Sequence, residues 1–477
     1  MEAAGSGWPS GGSLESRFFV DDGCWRDAPI LTGQTSFEPL PDVRNILVTG
    51  GEGFMSVQFT TPTLPTPSQL TISSLNSASY LVRHLVTKYS QAYNIISFDK
   101  LDYCSSLNNS RLLDSFPNFR FYHGDIMSQS DVLKCLQTYK IDTIFHLAAQ
   151  SHVDLSFGNS FTFTHNNVMG THVLLESAKV TESVRRFYHI STDEVYGEVP
   201  KGEAELHEDS PLHPTNPYSA SKACAEMMVR AYVKSFALPV VMIRLNNVYG
   251  PHQFPEKIIP KFINLLQRNK PLFIHGKGDN SRRYLYAGDA ADAFDTILHK
   301  GTMGEIYNVD SKDEIENLDL AKKLCKAFGI EDFEKHIQYT RDRPFNDCRY
   351  AVNGDKLAKL GWKQRVSFAE GLEQCVEWYQ TFPTWWGNID RILTPFPELR
   401  STSTAGDGVV CEVGTGSAGG VRQVGAGAQL YDPASAGKKL KEWNGVVSKV
   451  SARNNGMGVT GGAVLKKRKA DAWEDAE

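Results

Sequence analysis

Six short apolar runs rich in β-formers punctuate the first half of the chain, at 45–49, 94–98, 119–122, 143–147, 186–190 and 239–243. Between them, helical spacing of apolar residues is visible at 80–88, 131–139 and 167–177. Strands that alternate with helices build one parallel sheet covered on both faces, because a parallel pair needs a long crossover between its strands. The fold class is therefore α/β, a doubly wound parallel sheet. Beyond about residue 250 the units become shorter and less regular, as expected of a smaller substrate-binding lobe. A chain of 477 residues has ample length for both.

The first run, Asn45-Ile-Leu-Val-Thr49, ends in Gly50-Gly51-Glu52-Gly53-Phe54. A strand, a glycine turn and a helix aim the helix N–H groups at a pyrophosphate. The helix does not follow at once. Residues 56–77 are rich in Ser, Thr and Asn and carry Pro62, Pro65 and Pro67, which cannot sit in a helix interior. Helical pattern starts at Ala78. The acid that usually closes such a unit lies about 20 residues past the glycines. Here Asp99 is 49 positions from Gly50, and 27 without the 22 residues 56–77. The interruption reads as an insertion into a regular unit, either a surface loop or sequence translated from a retained intron.

Chemistry concentrates in two later stretches. Residues 191–197 read Ser-Thr-Asp-Glu-Val-Tyr-Gly and put a hydroxyl and two adjacent carboxylates at the end of an apolar run. Two carboxylates can divide proton donation from proton removal. Tyr218 and Lys222 stand one helical turn apart on one face, and the ammonium is expected to ease ionisation of the phenol. Either stretch alone is a common pattern. Their conjunction downstream of a glycine turn is specific. Ala148 and Ala149, past the run at 143–147, are small enough to let a cofactor approach.

A net charge of −5 gives no reason to expect nucleic acid as a partner. The eight cysteines show no C-x-x-C pair and no metal-like spacing, so free thiols in a reducing, cytoplasmic compartment and no metal are expected. The first 30 residues lack a basic start followed by an apolar run, and no stretch has 18 consecutive apolar residues, so no export signal and no membrane span are expected. Residues 1–43 read as a mobile N-terminal arm with possible order near 37–41, residues 44–400 as the main domain, and residues 401–477, rich in Gly, Ala, Ser and Val, as a disordered tail. Its Lys466-Lys-Arg-Lys469 fits a solvated charge run better than an import signal.

Several motifs in order resemble one family: Val48-Thr-Gly-Gly-Glu-Gly-Phe54, Asp99-Lys-Leu-Asp-Tyr103, His146-Leu-Ala-Ala-Gln-Ser-His-Val-Asp154, the stretch 191–197, Asn216-Pro-Tyr-Ser-Ala-Ser-Lys222, Asn247-Val-Tyr-Gly-Pro251 and Arg341-Asp-Arg-Pro344. From about 44 to 380 the chain resembles the nucleotide-sugar (dTDP-glucose/UDP-glucose) 4,6-dehydratases of the extended short-chain dehydrogenase/reductase superfamily, whose fold is Rossmann-like. The resemblance implies NAD as cofactor, a nucleotide-sugar substrate and a homodimer. It implies that Gly50, Gly53 and Phe54 line the pyrophosphate, Asp99 and Lys100 the adenosine ribose, and Asp125 and Ile126 the adenine. Ala148, Ala149 and Ser151 would complete the cofactor site, with Tyr218 and Lys222 facing nicotinamide. Asn247, Glu256, Lys257, Arg282 and Arg343 would hold the sugar nucleotide, the arginines suiting a diphosphate through paired, charged hydrogen bonds.

The implied reaction is redox-neutral. Tyr218 takes the O4 proton while hydride leaves C4, helped by Thr192. Glu194 then removes the C5 proton, Asp193 protonates the departing 6-hydroxyl, and hydride returns to C6. A nucleotide-sugar 4-epimerase with the same Tyr/Lys pair is the alternative, although it needs no acid–base pair at 193 and 194. A relative inactivated by the interrupted turn is the third reading. The chain departs from the family pattern at the third glycine of the turn, where Ser56 or Ala78 stands, at Phe345-Asn346 in place of Gly-His, and at the interruption itself.

Overall fold

The computed structural model describes residues 23–52, 77–101, 104–343 and 345–394. All lie in the first of two units, residues 1–398; the second, residues 399–477 with the expected tail, lies outside the described residues. So do residues 1–22, Gly53, Phe54, and 56–76 of the interruption.

The strands are β1 (Asn45–Thr49), β2 (Asn94–Asp99), β3 (Phe119–His123), β4 (Thr143–His146), β5 (Arg186–Thr192), β6 (Val240–Leu245), β7 (Asn247–Tyr249), β8 (Leu272–His275), β9 (Ser281–Tyr286), β10 (Ile306–Val309), β11 (Glu314–Glu316) and β12 (Ile337–Thr340). Seven form one parallel sheet in the order β10-β6-β5-β4-β1-β2-β3. The order reverses between β1 and β4, which opens a crevice at the carboxyl ends of those two strands. All six expected strands are present, with ends shifted by a residue or two.

Alternation along each strand decides which layer it feeds. Ile46 and Val48 of β1 face one side, with Phe145, Tyr188, Ile190, Val241 and Ile243, under the helices Ser77–Lys88 and Ala287–Lys300. Leu47 faces the other, with Ile96, Ile144, Phe187 and Val240, under the helices Gln129–Thr138, Gly170–Val180 and Pro217–Phe236. A third core is built on the helices Ile258–Gln267, Asn317–Ala327 and Phe368–Thr381 and takes in Trp378 and Trp385. It forms the smaller lobe with the three-stranded sheet β11-β9-β7 and the pair β12-β8. The division near 250 is not clean: β10 and the Ala287–Lys300 helix return to the main sheet.

Two differences from expectation have local causes. Residues 23–43, read as part of a mobile arm ordered only near 37–41, are bound to the domain over more of their length. Thr35 donates from its backbone N–H to Asp292 and from its hydroxyl to Asp295 at 2.6 Å, with Asp292 also 2.9 Å from that hydroxyl, and the N–H groups of Phe37 and Leu40 donate to the phenols of Tyr89 and Tyr93. Those acceptors are supplied by helices distant in sequence, so nothing in the arm announces them. The expected helix at 167–177 begins instead as a π-helical turn, Thr164–Met169, which places Asn166 and Asn167 before the α-helix Gly170–Val180. Such turns often accompany functional sites.

Candidate active site

The glycine turn after β1 is seated on β2. Gly50 adopts a φ of 73°, open to glycine at little cost, and its N–H donates to the Phe98 carbonyl at 2.8 Å. A Cβ on Gly51 would fall 2.2 Å from Ser97 Oγ and 3.3 Å from Val82 Cγ2, so turn, strand and the helix from Ser77 meet here. Glu52 is wholly buried and accepts from Ser97 Oγ at 2.6 Å and from the Ser110 hydroxyl. Burial pushes its pKa up to about 8 against the pull of those two hydroxyls. Asp99 at the end of β2 accepts from the N–H groups of Glu52 and Leu101 at 3.2 and 2.8 Å and from Ser105 Oγ at 3.0 Å.

Gly50, Asp99, Lys100, Asp125, Ile126 and Ala148 line one cleft at the carboxyl ends of β1 to β4, together with Gly124 and Asn166. Lys100 is paired with Asp125 at 3.4 Å. A Cβ on Gly124 would fall 2.7 Å from the Phe98 ring, so the cleft floor there is bare backbone. Ala149 is buried and lines neither cleft described here, and Ser151 lines the second cleft instead. Asn167, which no sequence signal marked, fastens the wall: its amide donates to the Gln150 carbonyl at 2.8 Å and to Ser221 Oγ at 2.9 Å.

The second cleft brings together Thr192, Glu194, Tyr218, Asn247, Glu256, Lys257, Arg282 and Arg343. Thr192 ends β5, and Asp193–Tyr196 form a 3-10 turn that Thr192 caps by accepting from the Glu194 N–H at 3.3 Å. Asp193 accepts from Asn246 Nδ2 at 2.7 Å and Glu194 from Asn216 Nδ2 at 3.4 Å, so the neighbouring carboxylates have different partners. Both are buried. Burial, reinforced by Glu194, pushes the Asp193 pKa up to about 7. Burial also raises that of Glu194, opposed by Arg282 and supported by Asp347.

Asn216 caps the helix that carries Tyr218 and Lys222 in a capping box with Ser219, and Pro217 at the first helical position suits it. One asparagine thus starts the helix and touches Glu194. Glu226 of that helix pairs with Arg244 of β6 at 2.9 and 2.6 Å, both wholly buried, and breaking such a pair costs about 3–5 kcal/mol. The helix is therefore clamped to the sheet beneath the site. The expected effect of Lys222 on Tyr218 is not seen. Lys222 Nζ donates to the Ile190 carbonyl at 2.6 Å, and burial lowers its pKa to about 8. Burial and the charge of Glu194 hold the Tyr218 phenol well above its ordinary value, against a hydrogen bond from Thr192.

Arg343 reaches Asp154 with a 3.0 Å bond and a second, closer one. Burial opposes ionisation of Asp154, but Arg343 and His152 hold its pKa down, at about 2. Lys257 Nζ donates to the Ser151 carbonyl at 3.1 Å, and Arg282 lies 4.7 Å over the Tyr350 ring. Phe345 and Asn346 also line this cleft, Asn346 donating to Asn280 and Asp342. Asp347 and Tyr350 were not singled out by sequence; they come within reach of Glu194 only through the fold. Among the described residues no group of His, Cys, Asp and Glu is placed to hold a metal, and no helix is long and apolar enough to cross a membrane.

A sequence model of the GDP-mannose 4,6 dehydratase family matches residues 78–375, starting just past the interruption. A trifunctional UDP-glucose 4,6-dehydratase/UDP-4-keto-6-deoxy-D-glucose 3,5-epimerase/UDP-4-keto-L-rhamnose-reductase of Arabidopsis thaliana is 50% identical over 366 residues, covering 76% of this chain and 51% of that one. The chain thus spans about half the length of this plant relative. The human dTDP-D-glucose 4,6-dehydratase is 42% identical over 378 residues, covering 78% of this chain and 99% of that one. The crystal structure of a dTDP-glucose 4,6-dehydratase from Streptomyces venezuelae, with NAD bound, superposes with a TM-score of 0.64 at 34% identity, over 72% of this chain and 99% of that one. A seven-stranded parallel sheet, a glycine turn and this coverage of the family model agree, and the chain belongs to the GDP-mannose 4,6 dehydratase family of nucleotide-sugar dehydratases.

Proposed function

We propose that the chain dehydrates UDP-glucose or dTDP-glucose to the 4-keto-6-deoxy sugar, using an NAD that stays bound and is regenerated in each turnover. The observation that carries this reading is the Asp193/Glu194 pair, two buried neighbours with different partners beside Tyr218. A 4-epimerase needs no such pair.

The first cleft fits a dinucleotide: Gly50 is in a left-handed conformation, the floor at Gly124 is bare, and Asp99, Lys100 and Asp125 offer polar groups to a ribose and a base. Bound there, NAD supplies a hydride acceptor that later becomes a donor. The chain's own groups do the rest. Tyr218, as phenolate, would accept the O4 proton; burial opposes that state and the cationic nicotinamide of bound NAD would favour it, with Thr192 hydrogen-bonded to the phenol. Lys222 holds the helix at Ile190 and adds positive charge under the site. Glu194 removes the C5 proton. Asp193, with a pKa near neutrality, keeps a proton to give to the leaving 6-hydroxyl. Arg282, Arg343 and Lys257 face the cleft as cations for a diphosphate, and Asn247 and Glu256 offer hydrogen bonds to the sugar nucleotide.

We place the substrate lobe mainly beyond residue 250 within a 44–400 domain, and the protein in the cytoplasm as a homodimer. In support of the dimer, Phe161, Met169, Met227 and Phe236 are exposed on the segment 160–169 and the Pro217–Phe236 helix, Phe161 by 87%. Light scattering tests the oligomer, and a Phe161→Asp variant that leaves the mass unchanged would exclude this face.

Mass spectrometry of products from UDP-glucose and dTDP-glucose tests the activity. Loss of water from either supports dehydration. A 4-epimer of unchanged mass points to epimerisation, and no product points to an inactive relative. The relative kcat/KM for the two sugars assigns the base, and preference for a purine-linked sugar would overturn the choice of a pyrimidine.

A further inference from the structure

Tyr350 stands between two carboxylates. Its phenol oxygen is 2.6 Å from Asp347 Oδ2 and 3.4 Å from Glu194 Oε2. All three residues are buried and line the second cleft. Asp347 is itself fixed: the Thr215 hydroxyl reaches its two oxygens at 2.7 and 2.8 Å, and Arg282 donates to its backbone carbonyl at 2.9 Å. The same guanidinium covers the Tyr350 ring.

A phenol carries one hydrogen. The shorter contact assigns it to Asp347. The phenol oxygen then turns its lone pairs to Glu194. Lone pairs repel an ionised carboxylate but accept a hydrogen bond from a protonated one. The arrangement therefore favours Glu194 with a proton on it.

We propose that Asp347 and Tyr350 are positioning residues that act through Glu194, steadying the carboxylic acid that forms when the C5 proton is removed. The inference rests on the dehydration reading. In that step the C5–H bond breaks, an O–H bond forms on Glu194, and the electron pair stays on the sugar as the enolate of the 4-ketone. The new O–H donates to the Tyr350 oxygen, while the phenol hydrogen remains on the Asp347 side. When the C5–H bond re-forms, the Glu194 O–H bond breaks, so no other proton acceptor is required. The charged and titratable groups facing Glu194 are Asp193 beside it, Tyr218, Lys257, Arg282, Arg343, Asp347 and Tyr350. Of these, Asp347 raises its proton affinity, and Arg282 and Lys257 lower it.

Two near-isosteric variants of the full chain, Asp347→Asn and Tyr350→Phe, test the proposal. The Glu194 carboxyl is followed by 13C NMR in protein labelled at glutamate, with its signal assigned by its loss in Glu194→Gln. Its titration midpoint should fall by about half a pH unit or more in each variant. With UDP-glucose and dTDP-glucose, the acid limb of kcat/KM should move to lower pH by the same amount. The kcat should fall by about tenfold while KM changes by less than about twofold. A Glu194 midpoint that stays in place in both folded variants overturns the proposal, even if rates fall. If the wild-type chain loses no water from either sugar and the midpoint still moves, the coupling stands and the dehydration reading fails.

Discussion

Asn246 Nδ2 donates to Asp193 Oδ2 at 2.7 Å, while its own Oδ1 accepts from the Ser311 N–H at 2.7 Å. The asparagine is therefore locked in one amide orientation and offers Asp193 a donor. That donor favours the ionised acid and partly offsets the burial that raises its pKa to about 7. An Asp193 that works as an acid must be protonated, so its activity declines as pH rises through that value. In Asn246→Ala the donor is gone, the pKa rises further, and the basic limb of the dehydration rate should move to higher pH. The variant should also lose about 1–3 kcal/mol of stability, since the Ser311 N–H is left without this acceptor. A basic limb that moves down or stays would remove Asp193 from the acid role.

Glu194→Gln keeps the shape of the side chain and removes the base. Exchange of the C5 hydrogen with deuterated solvent should slow by at least about 100-fold, the usual scale for loss of a general base. Oxidation at C4 should continue, seen as reduced-nicotinamide absorbance after mixing with substrate. Normal exchange and elimination in this variant would assign the base elsewhere.

Glu52 makes stability depend on pH in a defined sense. Its folded pKa of about 8 lies above its ordinary value of 4.5, chiefly because it is buried. The folded chain therefore binds that proton more tightly than the unfolded chain. The contribution is complete below about 4.5 and is lost as pH rises through about 8. Asp193, raised to about 7, acts in the same sense. The melting temperature should fall between about pH 4.5 and about pH 8, and Glu52→Gln should flatten part of that fall. Identical slopes for the two proteins would show that Glu52 does not titrate in this window.

The interruption at 56–77 gives a fourth test. Pro62, Pro65 and Pro67 prevent the helix from starting directly after the turn. Deleting these residues joins Met55 to Ala78 and brings the glycine-to-acid spacing to 27. The shortened chain should retain more NAD through purification, melt higher and turn over faster. Equal occupancy and equal rate would make the segment a tolerated loop, since long surface loops add little closure entropy. Sequencing the transcript across codons 55–78 decides between a loop and a retained intron.

The sheet was legible because each strand is a compact apolar run and helical spacing separates one run from the next. Tyr218, Lys222, Asp193 and Glu194 were legible because each pair is close in sequence. The partners that set their chemistry were not. Asn246 and Asn216 are ordinary residues until β6 and the helix start place them against the carboxylates. Asp347 and Tyr350 reach Glu194 across 150 positions or more of chain. Lys222 misled for the same reason: its spacing from Tyr218 was visible, but not the Ile190 carbonyl that takes its ammonium. Order at 37–41 was legible, but the anchoring of Thr35 before it was not, because Asp292 and Asp295 lie elsewhere in the sequence.

The 3-10 turn at Asp193–Tyr196 has a consequence for how this site can change over time. Three residues per turn send consecutive side chains about 120° apart. Two adjacent codons therefore aim their carboxylates at different partners, Asn246 for Asp193 and Asn216 for Glu194. Substitution at either codon damages one function and leaves its neighbour aimed as before. Gain or loss of a single residue between Thr192 and Tyr196 rotates every address at once, turning the acid toward the place of the base. Length, more than residue identity, is the quantity this stretch can least afford to vary.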